Sequence, residues 1–256
     1  MENELKKHIL ESLKQDIRVD GRKCNDLREI VVETDVSSTA EGSARVKIGT
    51  TEVMAGVKLG IGTPFPDRPD EGAIMMNVEL LPLSSPEFES GPPGMQAIEL
   101  ARVVDRGIRE SKAIDLKKLS IKKGEKCWIV QVDICSINDS GNLLDASALA
   151  VLAALKNTVF PKYENDEINY KEKSDKKLEL NKVPITVTVF KLGDVFLVDP
   201  LPNEENNFDA RLSVAMTEDN KICALQKGGF SPLVSDEIIK MIEIAEEKSK
   251  ELRKFL

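Results

Sequence analysis

Residues Leu143–Val159, LLDASALAVLAALKNTV, carry only Asp145 and Ser147 as polar positions before Lys156. A helix that is apolar around most of its circumference is buried on most sides. Any fold open to this chain therefore has to enclose it. Hydrophobic residues make up 41% of the 256, enough for a sizeable core. Only 4% are aromatic, so Val, Ile, Leu, Ala and Met must fill that core.

Around this segment the periodicity alternates between strand-like and helical. A helix is predicted over 2–14, with Leu5, Ile9, Leu10 and Leu13 on one stripe. Strands are predicted over 28–34, 43–48, 52–59 and 73–81, with Gly49-Thr50-Thr51 as a hairpin turn between the second and third. Residues 60–72 and 84–94, rich in Pro and Gly, read as loops. A long helix follows over 95–112, then a strand over 128–137 in which Val130, Val132, Ile134 and Ser136 share one face. Strands resume over 185–191, 195–198, 211–217 and 221–227, and a last helix runs from about 235 to 256. Residues 163–182 are charged and nearly free of aliphatics, and read as a solvated surface excursion, partly disordered. Strand groups with adjacent hairpins, separated by helices, make an α+β fold with mixed sheets in one domain over 1–256. The repeated order of strands followed by a helix hints at an internal duplication.

The formal charge of −8 argues against a surface that coats nucleic acid throughout, though not against a local basic groove. Four cysteines, at 24, 127, 135 and 223, form no CxxC pair, and the one histidine is His8. A Cys/His metal site is therefore rejected, and so is a disulfide framework. Cys127 and Cys135 flank a strand and are read as core. No apolar run approaches the ~20 residues that span a bilayer, so a cytosolic location is the default.

One basic constellation stands out. Arg102, Arg106 and Arg109 fall at i, i+4 and i+7 on one helical face. Between residues 102 and 126 nine bases meet four acids, a local +5. Such a row can grip the phosphates of a single strand without reading bases. It is equally what a solvated face with i,i+4 pairs such as Arg106–Glu110 looks like. Arg68, in the loop PDRPDEG, has Asp67, Asp70 and Glu71 beside it and reads as locally paired.

Five segments together resemble the RNase PH-type phosphorolytic ribonucleases, and most of all the non-catalytic RNase PH-like ring subunit of the archaeal exosome. They are IRVDGR at 17–22, residues 60–80, ELARVVDR at 99–106, NDSGNLLDAS at 138–147 and VDP…DARLSVAMTEDN at 198–220. The resemblance implies the RNase PH-like fold and an alternating hexameric ring with a catalytic paralogue. It also implies RNA-binding cap subunits and single-stranded RNA threaded through a central channel, with no cofactor and no metal. It implies too that Arg102 and Arg106 contact RNA beside the partner's active site.

In the phosphorolytic members a Gly-Ser/Thr-Arg turn at a helix N-terminus binds phosphate. Free N–H groups and a guanidinium fork suit that anion. The matching residues here are Gly141, Asn142 and Leu143, so the glycine remains while the hydroxyl and the arginine are gone. Asp145, one turn inside the helix, would repel phosphate further. Read without the resemblance, the segment is an ordinary helix start with Asn142 or Asp139 near the cap.

Two family carboxylates six residues apart fall on Glu205 and Arg211. A guanidinium neither accepts a proton nor binds a metal. Arg211 by itself reads as the partner of a nearby acid among Asp199, Glu204, Glu205 and Asp209. With both devices lost, no catalytic residue is expected, and the chain reads as a silent, RNA-binding ring subunit. Two alternatives stay open. One is a phosphate-dependent exoribonuclease in its own right, using Asp199, Glu205 and Asp209. The other is an unrelated α+β domain of a small-molecule-kinase kind, although no glycine-rich ATP loop is evident.

Overall fold

The computed structural model describes residues 2–256, the side chains of Glu2, Asn3 and Leu5 excepted. Leu5, part of the stripe read in the first helix, thus lies outside the described residues. In chain order the elements are α1 (Glu2–Leu13), β1 (Ile30–Thr34), β2 (Gly42–Ile48), β3 (Thr51–Gly62), β4 (Ala73–Leu80), α2 (Met95–Glu110), β5 (Ser120–Lys122), β6 (Lys126–Asn138) and α3 (Leu143–Lys156). They continue with β7 (Val159–Glu164), β8 (Glu167–Lys177), β9 (Ile185–Leu192), β10 (Val195–Val198), α4 (Pro202–Glu205), β11 (Ala210–Met216), β12 (Ile222–Gly228) and α5 (Ser235–Leu252).

The first sheet runs β1-β2-β3-β6-β4, with β5 paired to β6. Its pairs are antiparallel except β4 with β6, which makes it mixed. The second sheet, β10-β9-β11-β12, is antiparallel throughout. Along β6 the alternation holds: Val130, Val132, Ile134 and Ser136 are buried while Gln131 and Asp133 face solvent. Cys135 follows the outer face and is only half-buried; Cys127 is buried, as expected.

The reason α3 is apolar on all sides is its place between the two sheets. It packs on β2 and β3 from one direction and on β9 from the other, with α2 alongside. Every residue from Leu143 to Leu155 is buried. Beyond the second sheet, α5 covers β9 and β11, with Met241 and Ala245 wholly buried. One hydrophobic cluster runs continuously from Val46 and Val57 in the first sheet, through α3, to Val187, Val214 and Met241. A small satellite cluster fixes Ile9 and Leu13 of α1 against Phe190, Leu192 and Leu197.

Residues 163–182 differ from the expected loop. Most of them form the hairpin β7–β8, and seven of the eleven β8 residues are charged. Its root is held by Trp128, whose ring meets Phe160 and Tyr163 edge-on at 5.3 and 5.7 Å. No described helix is long and apolar enough to cross a membrane.

Candidate functional site

The start of α3 is built from a strained turn. Gly141 has φ +86°, and a Cβ there would sit 2.3 Å from the Pro200 carbonyl oxygen, so only glycine fits. Asn142, the N-cap, is also left-handed at φ 64°, a conformation asparagine tolerates. Neither side chain expected to cap the helix does so. Asp139 Oδ1 accepts from the Gly141 N–H at 3.0 Å, and Asn142 Nδ2 donates to Asp199 Oδ1 at 3.0 Å. The Asn142 N–H instead donates to Glu205 Oε2 at 2.8 Å. A carboxylate of the chain itself therefore lies against the positive end of α3. Leu143 is buried in the main core, where it offers an anion nothing.

Glu205 reaches this position because the loop carrying it is fastened by three arginines near the N-terminus. Arg18 is wholly buried; it donates to the carbonyls of Val198 and Asp199 at 3.0 and 2.7 Å and makes a double contact with Glu204 at 3.0 and 2.5 Å. Arg22 donates to Asp199 Oδ2 at 2.9 Å. Arg28 donates to both Asp199 carboxylate oxygens, at 2.9 and 2.6 Å, and to the carbonyls of Ser140 and Gly141 at 2.8 and 3.0 Å. Arg28 thus ties the α3 turn to the loop that holds Glu205. Of these residues Arg18 and Arg22 lie in IRVDGR, but their roles were not legible there. Their partners lie more than 170 positions away.

The electrostatics divide the buried carboxyls. Burial alone would raise Asp199, yet the hydrogen bonds and charge of Arg28, with Arg22 behind it, hold it below the usual carboxylate range. Burial pushes Glu205 up to about 7; Asp139 adds to the rise, and the Asn142 N–H, Arg211 and Arg28 only partly oppose it. Burial likewise pushes Asp145 up to about 7. Both Asp145 carboxyl oxygens are buried without a hydrogen-bond partner, as is Asn142 Oδ1. The expected repulsion of phosphate by Asp145 is accordingly weaker than a surface carboxylate would give. The trio Asp199, Glu205 and Asp209 does not converge: Asp209 binds Lys6 Nζ at 2.7 Å and the Gly193 N–H at 2.7 Å. Among the described residues no three His, Cys, Asp or Glu side chains are placed to hold a metal ion.

Arg211 is the second residue of β11, on the sheet face under α2. The expected salt bridge to a neighbouring acid of its own loop is not made. Its Nη2 pairs with Glu99 of α2 at 2.7 Å, its guanidinium lies 5.4 Å from the centre of the Phe208 ring, and Gly228 opposite leaves room for it. A Cβ at Gly228 would come within 2.8 Å of Arg211 Nε. On α2 itself Arg102 and Arg106 are exposed while Val103 and Val104 are buried. The i,i+4 pair on this helix is Asp105–Arg109, at 2.8 Å, rather than Arg106–Glu110. Arg106 donates to the neutral Gln226 Oε1 at 3.0 Å. Arg68 pairs loosely with Asp67 and Glu71 at 3.7 and 3.9 Å, as its neighbours suggested.

Two models of the 3′ exoribonuclease family match the chain, domain 1 over residues 26–161 and domain 2 over 182–248. The exosome complex component Rrp42 of Methanocella arvoryzae is 48% identical over 254 residues, 99% of this chain and 96% of that protein. That of Methanosarcina acetivorans is 48% identical over 236 residues, 92% of this chain and 87% of that protein. A chain of the solved Archaeoglobus fulgidus exosome with RNA bound to the active site superposes with a TM-score of 0.91 at 43% identity, covering 99% of this chain and 98% of that one. With both domain models matched in order and the mixed-sheet architecture shared end to end, this chain belongs to the RNase PH-type 3′ exoribonuclease family.

Proposed function

We propose that this chain is a ring subunit of an exosome-type 3′-to-5′ exoribonuclease that carries no phosphorolytic chemistry of its own and grips RNA for a catalytic paralogue. The single observation that carries this reading is the filled start of α3. Where a phosphate would meet free N–H groups, the Asn142 N–H is already taken by Glu205, and the residue in the arginine position, Leu143, is buried core. The position of the second carboxylate holds Arg211, itself engaged by Glu99. Gly141, Asn142 and Leu143 then form a degenerate phosphate site, and Glu205 with Arg211 a degenerate carboxylate site. Phosphorolysis needs its nucleophile held and its proton handled together, and loss of either lowers the rate by orders of magnitude.

In this reading Arg102 and Arg106 line the RNA path next to the partner's active site in an alternating hexamer, with RNA-binding cap subunits on one face. The chain acts as one body in the cytoplasm. The relatives' description as exosome components, and the RNA bound in the solved neighbour, support the assembly and the ligand. The test is end-labelled single-stranded RNA with inorganic phosphate, given to the pure chain and to the chain co-assembled with candidate paralogues. The pure chain should release no nucleoside diphosphate, and the co-assembly should. Processive shortening by the pure chain, abolished by Glu205→Gln, would overturn the reading. Arg211→Asp alone should stay inactive, because the phosphate position remains filled.

One observation favours a second reading, activity of the chain alone. Glu205 is pushed to about 7, the range suited to a general base at neutral pH. The same Glu205→Gln comparison decides between them.

A further inference from the structure

The polar face of α2 holds two acids placed to neutralise Arg102. Glu99 lies three residues before it and Asp105 three after, the spacings at which side chains meet on a helix. Neither does so. Glu99 is taken by Arg211 at 2.7 Å and Asp105 by Arg109 at 2.8 Å. Among the described residues Arg102 has no ion-pair or hydrogen-bond partner, and Arg106 binds only the neutral amide of Gln226. The Arg211 side chain is 14% exposed and that of Glu99 41%, so the arginine is fixed in place while the carboxylate it holds stays partly screened by solvent. The Phe208 ring and the gap left by Gly228 fix the guanidinium in the orientation that meets Glu99.

We infer that Arg211 is a positioning residue for the RNA-gripping face. By holding Glu99 it keeps the Arg102 charge uncompensated and available to an RNA phosphate, while Arg109 does the same with Asp105 from the other side. The cation at the carboxylate position therefore has a task of its own, exerted through Glu99 rather than by touching RNA. This inference rests on the assignment of Arg102 and Arg106 to the RNA path. If Arg211 lets go, Glu99 is free to turn to Arg102 and cancel its charge.

The test uses the full chain assembled with its catalytic paralogue and labelled oligoadenylate as probe, with affinity measured across salt and ring mass checked for each variant. Arg102→Ala should weaken binding and lower the salt slope by about one released counterion. Arg211→Met, which still fills the slot beside Phe208, should do so in part, by about twofold in affinity, the worth of the exposed Glu99–Arg102 pair it frees to form, with a smaller fall in slope. Arg211→Lys, which can still pair with Glu99, should retain most of the affinity. The decisive variant is Arg211→Met with Glu99→Gln: with no carboxylate left to capture Arg102, affinity and slope should return to wild type. A double variant as weak as Arg211→Met would overturn the inference in favour of direct contact or general structural support. Weak binding by Arg102→Ala with unchanged binding by Arg211→Met would overturn it while leaving the RNA path standing. If Arg102→Ala also binds normally, the RNA path and the inference fall together.

Discussion

Asp145 shows how far one buried side chain can shift the chain's response to pH. Its carboxyl is held near 7 in the fold against 3.8 for a freely solvated aspartate, so the native state keeps a proton that the unfolded state releases. The sign follows: a raised acid pKa costs nothing below about pH 4, and stability is lost as pH rises from there to about 7. At pH 8 the penalty is on the order of 4 kcal/mol. Asp145→Asn should therefore stabilise the protein, and by about 2–3 kcal/mol more at pH 8 than at pH 5, read from urea midpoints at the two values. Glu205 offers a direct check of the same physics. Its carboxyl carbon resonance should titrate with a midpoint near 7, and Arg211→Met should raise that midpoint by removing a favourable charge. Neither shift is visible in the sequence, where both residues look like ordinary acids beside a loop. What the sequence offers is the proposed substitution, Leu143 for an arginine and Arg211 for a carboxylate. It does not show that Glu205 swings in against the Asn142 N–H, because that depends on a loop anchored by residues far away.

Among the elements, hydrophobic periodicity located most strands and helices to within a few residues, because these bury one face and leave the other wet; it did not find β5, β7, β8 or α4. β3 is the mild exception, running to Gly62 where its apolar alternation fades into glycines. The longest of the missed elements is β8. Its residues are almost all exposed, with only Ile168 and Ser174 half-buried, so no face announces itself. Backbone pairing with β7 makes the strand, and pairing leaves no trace in side-chain pattern. The turn before α3 was legible as a glycine but not as a strained one. Gly141→Ala should destabilise the protein by about 2–4 kcal/mol, since the methyl group meets the Pro200 carbonyl and φ is positive. A thermal unfolding midpoint unchanged by this substitution would mean that the turn relaxes freely.

For the whole molecule, the separate ends of the chain are joined by buried charge. Arg18 and Glu204 are both out of contact with water and satisfy each other and the loop carbonyls. Arg18→Met leaves Glu204 buried without its partner and should cost about 3–5 kcal/mol, whereas adding Glu204→Leu should recover only part of it, because the Val198 carbonyl and the Leu201 N–H still lose their partners. Denaturant unfolding of the two single variants and the pair measures this coupling directly.

The central helix has a consequence for how the molecule opens. Residues 143–155 draw their cover from both sheets, yet the two family domains divide the chain after that helix. Neither half can seal its own face of α3. Deuterium should therefore reach the α3 amides only when both sheets separate at once, at a rate set by global unfolding and not by local fraying. Polypeptides 1–181 and 182–256, made apart, should stay insoluble or unfolded, and become protected from exchange only when mixed.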